Sequence, residues 1–228
     1  MKIQVGKTYL TVPHKNEEVT FQYPSFRGTY GNVAEQVGKE GLKRPISSET
    51  SSLIYDALQN PKGEYESQIL DILKDNWFWE FTGNLYLPRS NEEVSNGVII
   101  EDNPKIVNGR LNMDKKTLIK RLQADDKSVR FVPFGYKIEA QTLEELGKNP
   151  YIVARYGEEG AEKIAKIASQ FKNKPYIWSF NFVDEETARM SALLRLWGFG
   201  YRLNVYGDDW DANDGGHSFG VCAPEKIK

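Results

Sequence analysis

The chain is poor in the residues that most often announce chemistry. It has one cysteine, Cys222, which excludes an intrachain disulfide and any site built from several thiolates. Its two histidines, His14 and His217, are too few for a His-rich metal centre. Neither charge is in real excess: 30 Lys and Arg stand against 32 Asp and Glu, a formal charge of -2. An electrostatically driven nucleic-acid or anionic-membrane binder is therefore not expected. No apolar run approaches the about 20 residues of a membrane helix, so no membrane span is expected. The amino terminus has no apolar signal-peptide core, which makes a cytoplasmic location the default expectation. Solenoid repeats, heptad arrays and low-complexity tracts are also missing.

What is present is an ordinary globular composition over 228 residues, enough to bury a core without disulfide or metal staples. No linker divides the chain, which reads as a single domain spanning residues 1–228. Alternation predicts an opening strand at Lys7–Pro13, and short strands at 77–82, 85–88, 98–100, 130–134, 151–155 and 175–180. Helical periodicity predicts helices at 32–41, 47–59, 65–74, 115–123, 143–148, 158–171 and 184–196, with Ser47 accepting amide hydrogen bonds at the start of the second. Helices and strands mix without strict alternation, so the fold class is α+β. The early strand is expected to pair with a late one at Ser218–Pro224.

Several motifs carry less chemistry than they suggest. Gly216-His217-Ser218-Phe219-Gly220 matches the G-x-S-x-G nucleophile elbow, but no His follows Ser218 to serve as its base. A Gly-rich turn entering a final strand is the better account. Gly6-Lys7-Thr8 lacks the upstream glycine of a phosphate-binding loop. Asp208, Asp209, Asp211 and Asp214 could hold calcium loosely. Counted from Asp209, however, loop positions six and twelve are Asp214 and Gly220, where the helix–loop–helix motif needs Gly and Glu. Trp77, Phe78, Trp79, Phe81 and Tyr86 could form a stacking platform, but at strand spacing such aromatics read more simply as core.

The last part of the chain is drawn from a different alphabet. Lys, Glu, Gln and Met total 51 of the 228 residues, yet none lies in 191–224. That window holds six Gly, four Asp, two Arg and two Tyr, and lacks Ile. Loops and strands avoid good helix formers, which covers part of the deficit. Codons supply a second reason. Asn codons mutated at their adenines reach Leu, Arg, Gly, Tyr, Asp, Ala and Ser, but never Lys, Glu, Gln, Met or Trp. Trp197 and Trp210 would then be fixed scaffold. Period-two alternation around Leu203 and Val205 agrees with that division. It places Trp197, Phe199, Leu203, Val205, Trp210, Phe219 and Val221 in the core. Leu194, Arg195, Leu196, Gly198, Gly200, Tyr201, Arg202, Asn204, Tyr206, Asp208, Asp209, Asp211, Ala212, Asn213 and Asp214 would share a binding surface.

Tyr206-Gly207-Asp208-Asp209-Trp210, a Gly-rich run and Ser218-Phe219-Gly220-Val221 together resemble the G-G-x-W…G-F-R ending of C-type lectin folds of the formylglycine-generating-enzyme type. With the codon bias and the carboxy-terminal position, the chain resembles a variable protein of a diversity-generating retroelement. The likeness covers about the last 40 residues. It departs from the pattern at Asp208, where a second Gly is usual, and at Val221-Cys222, where a terminal Arg is common. The resemblance implies a C-type lectin fold whose residues 191–224 form a hypervariable ligand-binding face. It implies a macromolecular ligand, a protein foremost, with no cofactor and no catalysis. Formylglycine generation needs a pair of cysteines, and this chain has one. The calcium and Glu/Asn or Gln/Asp pairs common in sugar-binding lectins have no short motif here. Two other readings stay open: a calcium-dependent binding module using the Asp208–Asp214 cluster, and an enzyme of unrecognised type with Asp184, Glu185 and Glu186 as candidate carboxylates.

Overall fold

The computed structural model describes residues 3–4, 7–195, 201–209 and 214–223. The chain opens with strands β1 (Ile3–Gln4), β2 (Lys7–His14) and β3 (Glu17–Gly28). Helices α1 (Tyr30–Lys39), α2 (Ser47–Ala57) and α3 (Glu64–Asp75) follow. Next come β4 (Trp77–Leu87), β5 (Gly97–Asp102), β6 (Lys105–Val107), β7 (Arg110–Asn112), α4 (Lys115–Gln123), β8 (Val129–Pro133) and β9 (Glu139–Ala140). The last third holds α5 (Leu143–Lys148), α6 (Pro150–Ala168), β10 (Tyr176–Trp178), β11 (Thr187–Arg195), β12 (Leu203–Asp209) and β13 (Gly216–Val221).

This is a mixed α+β fold built on one large sheet. Its main path runs β1-β2-β3-β13-β4-β11-β12-β10-β9, with β5 and β8 continuing from the far half of β4. The long β4 gives its first residues to β13 and its last to β5, while β11 lines its other edge. The last strand does reach back to the start of the chain, but to β3. The strand β2 pairs with β1 and β3, and β3 stands between it and β13. The expected pairing of Lys7–Pro13 with Ser218–Pro224 is therefore corrected by one strand, because β3 over Glu17–Gly28 was not legible as an element.

Two of the sequence expectations change type. Tyr151–Arg155 has strand composition but forms the first turns of α6. The Asn149 side chain accepts the Tyr151 amide at 3.0 Å and Pro150 occupies the first turn, a start signal that outweighs local β propensity. Residues 184–196 have helix formers, yet Thr187–Arg195 is strand β11, hydrogen-bonded to β4 on one side and β12 on the other. A central sheet position overrides propensity. Ser47 lies inside α2 and is not its cap: the Glu49 carboxylate accepts the Ile46 amide instead, and Ser47 Oγ accepts from Arg155.

One face of the sheet meets α2, α3 and α6 through Phe21, Phe78, Ile177, Leu193, Leu203, Val205 and Phe219. The other face carries Trp79, Phe81, Met190 and Ala192, covered over the β3–β4 side by Tyr30, Val33 and Val37 of α1. Among the described residues the predicted core members Leu203, Val205, Phe219 and Val221 are all buried, as are Phe78, Trp79, Phe81 and Tyr86, whereas Trp77, read as core with them, is only half-buried because it lies at the open start of β4. Trp197, Phe199 and Trp210 lie outside the described residues.

Candidate functional site

Of the tail residues predicted to form one surface, Leu194, Arg202, Asn204 and Tyr206 fall on the sheet face opposite the helices, whereas Tyr201 lines a cavity on the helical side with Leu58 of α2, Leu73 of α3 and Ile167 of α6. Strand periodicity explains this: Leu203 and Val205 point into the helical core, so Asn204 and Tyr206 take the other side. Register extends the row across the sheet. Ala192 faces both Trp79 and Tyr206, and Trp178 of β10 faces Tyr206 from the far side. A second row passes from Leu194 through Asn204 to Tyr176.

Aromatic rings dominate these rows. The Trp77 ring lies parallel on Trp79 with centroids 5.6 Å apart and meets the Tyr206 ring nearly edge-on at 4.7 Å. The Trp178 ring is parallel to Tyr206 at 5.7 Å, and Tyr176 tilts onto Trp178 at 4.5 Å. The Arg202 guanidinium sits over the Tyr176 ring, 4.4 Å from its centroid. Trp77, Tyr176, Trp178, Arg202 and Tyr206 are each half-buried, and Tyr201 and Asp214 are exposed. The outcome is a partly open aromatic strip with a cation over Tyr176 and the Asp214 carboxylate at Trp77. Aromatic–aromatic pairs of this kind contribute about 0.5–1.5 kcal/mol each beyond the area they bury.

Two predicted surface residues are not on the surface. Leu194 is 5% exposed and Asn204 is fully buried. Alternation assigns a side of the sheet, not exposure, and at these two positions that side is covered. Asn204 is a structural polar group: its Oδ1 accepts the Trp178 indole N–H at 3.0 Å, and its amide donates to the carbonyls of Leu194 and Arg202, each at 3.3 Å. Asp208 is half-buried. Arg195 and Asp209 lie in β11 and β12, with side chains outside the described residues, as are Leu196, Gly198, Gly200, Asp211, Ala212 and Asn213 altogether.

The backbone under the strip is held from the helical side by residues outside the tail. Met190 faces Asp209 whereas Ala192 faces Tyr206, so β12 carries one extra residue there, a bulge that redirects its carbonyls. Arg155 of α6 donates to the Tyr206 carbonyl at 2.6 Å, and the Tyr86 hydroxyl donates to the Gly207 carbonyl at 2.8 Å. Arg155 in turn pairs with Glu80, which also accepts from the Tyr156 hydroxyl at 2.9 Å. Burial holds the Glu80 carboxyl above its ordinary range, against the pull of Arg155. The Tyr151 hydroxyl donates to Asn84, whose amide donates to Ser191 of β11 at 2.9 Å. Gly207 is required by close approach: a Cβ there would fall 1.7 Å from the Tyr151 hydroxyl oxygen. The sequence marks Gly207 as part of a motif and Tyr86 only as a core aromatic, and gives no sign of Arg155 or Trp178, because hydrogen-bond partnership across the fold leaves no periodic trace.

The remaining candidates resolve simply. Ser218 is buried and donates to the Trp79 carbonyl at 3.0 Å, and His217 Nδ1 lies 3.0 Å from Ser25 Oγ, so the two do not address each other through that nitrogen. Asp214 accepts the Trp77 indole N–H at 3.2 Å. Among the described residues no three His, Cys, Asp or Glu are grouped to hold a metal ion. Asp184, Glu185 and Glu186 are exposed ahead of β11, and Glu186 pairs with Lys115 at 3.1 Å. No helix among the described residues is long and apolar enough to cross a membrane. Comparison with protein-family models, curated proteins and solved structures gives no match.

Proposed function

We propose that this chain is a ligand-binding protein that presents a diversified carboxy-terminal surface, the variable protein of a diversity-generating retroelement, and that it binds a macromolecular partner without catalysis. The scaffold in this reading is a C-type lectin fold of the formylglycine-generating-enzyme type. The pairing of the last strand, β13, with β3 near the amino terminus is in keeping with it.

The observation that carries the reading is the separation of support from display in β12. Groups outside the tail, Arg155 and Tyr86, hold the strand's main chain from the helical side. The side chains that differ from a core alphabet, Arg202 and Tyr206, emerge on the other. A backbone fixed independently of its outward side chains is what repeated substitution of those side chains needs. Tyr and Arg suit an interface because each desolvates a large area and still hydrogen-bonds.

The decisive observation is the neighbouring DNA. The expected result is a near-copy of the segment encoding 191–224, with adenines at the codons for Tyr201, Arg202, Tyr206 and Asp208, beside a reverse transcriptase gene. A tail-encoding segment without such a copy would overturn the reading. At the protein level, Tyr201 and Arg202 exchanged together for Ser and Asn should leave the melting temperature nearly unchanged.

A further inference from the structure

The strip contains residues that codon-directed change in 191–224 would not reach. Trp77 belongs to β4, and Tyr176 and Trp178 to β10, yet their rings continue directly from Tyr206. Their polar edges are already engaged: the Trp178 indole N–H donates to Asn204, and that of Trp77 donates to Asp214. What these indoles still offer a partner is carbon and π surface. Such a surface takes apolar, aromatic or cationic groups, and the neighbouring charge decides among them. Asp214 is exposed with its carboxylate at the edge of the Trp77 indole. The strip's own cation, Arg202, lies over Tyr176 instead. A positive group arriving at Trp77 therefore meets ring surface and a carboxylate together.

We infer that Trp77, Tyr206 and Asp214 form a subsite for a basic side chain, an arginine or a lysine of a protein partner, and that Trp77 and Trp178 are constant anchors beside the changing residues. This rests on the ligand-binding reading above. Ring surface is indifferent to the partner's hydrogen-bonding pattern, so the fixed rings supply contact area while Arg202 and Tyr206 discriminate.

The test uses the whole protein and two small probes, N-acetyl-arginine amide and N-acetyl-citrulline amide, which share a shape and differ in charge. Each is titrated at millimolar concentration while the tryptophan indole N–H resonances are followed by NMR. The arginine amide is expected to move the Trp77 signal saturably and to bind about two- to five-fold more tightly than the citrulline amide, the range of an exposed cation–π contact. Asp214→Asn, at an exposed position where the new side-chain oxygen can still accept the Trp77 N–H, should reduce that preference. Equal responses to the two probes, no response to the arginine amide, or an undiminished preference in Asp214→Asn would each overturn the subsite. None of these outcomes touches the wider reading, which fails separately if exchange of Tyr201 and Arg202 unfolds the protein.

Discussion

Arg155 Nη1 donates to the main-chain carbonyl of Tyr206 at 2.6 Å, joining helix α6 to the strand that displays the Tyr206 ring. The same guanidinium pairs with Glu80, and both side chains are wholly buried. Removing one partner strands the other without compensation. Arg155→Met should cost about 3–5 kcal/mol, measured by urea denaturation. Glu80→Gln combined with it should cost much less than the sum of the two single changes. Additive losses would mean that the pair does not act as a unit.

Gly207→Ala places a methyl group where the Tyr151 hydroxyl already stands. The expected loss is about 1–3 kcal/mol from overpacking. Tyr151→Phe in the same molecule removes the colliding oxygen and should recover part of that loss. A double-mutant cycle in denaturant would show the recovery as a favourable coupling.

Asn204→Ala leaves the Trp178 indole N–H without its acceptor and removes one donor from each of two main-chain carbonyls. A destabilisation of about 1–3 kcal/mol follows for buried polar groups so stranded. Arg202→Ser should change stability by no more than about 0.5 kcal/mol. The contrast between these two tail positions, read as melting temperatures, tests which of them is scaffold.

Tyr201 adopts φ +47°, the left-handed region that an L side chain enters at a cost. It is also 41% exposed, at the rim of a cavity lined by Leu58, Leu73 and Ile167. Tyr201→Asn should stabilise the protein by up to about 1 kcal/mol, since Asn tolerates this conformation better than Tyr. Thermal melting of the single variant measures it. The direction matters to function, because Asn is the residue from which the tail alphabet would derive.

Burial holds His14 and His217 below their ordinary pKa of 6.5, helped by Lys15 and Lys163 at the first and by Arg27 at the second. The folded state thus favours the neutral ring, and its contribution is fully present above the unfolded value. Stability should fall as pH drops from about 6.5 through the folded-state values, because the unfolded chain takes up those protons first. Urea midpoints at pH 7.5 and 5.5 should separate in the parent protein and converge in the His14→Gln, His217→Gln double variant.

Local pattern decided a good deal. Lys115–Gln123 and Leu143–Lys148 are helices with the bounds their periodicity predicts, and each has a capping side chain in sequence, Asp114 and Thr142. The side of the sheet taken by Leu203, Val205 and Tyr206 was also legible, since period two leaves no choice once one member is core. The compositional break at 191–224 is a property of the sequence alone. Only the tertiary structure decided that 187–195 is a strand held between β4 and β12, and that Leu194 and Asn204 lie beneath the strip. It alone brought Arg155, Tyr86 and Trp178 to β12. Periodicity constrains a side chain relative to its own backbone, whereas burial and hydrogen-bond partnership depend on which distant segment packs above it.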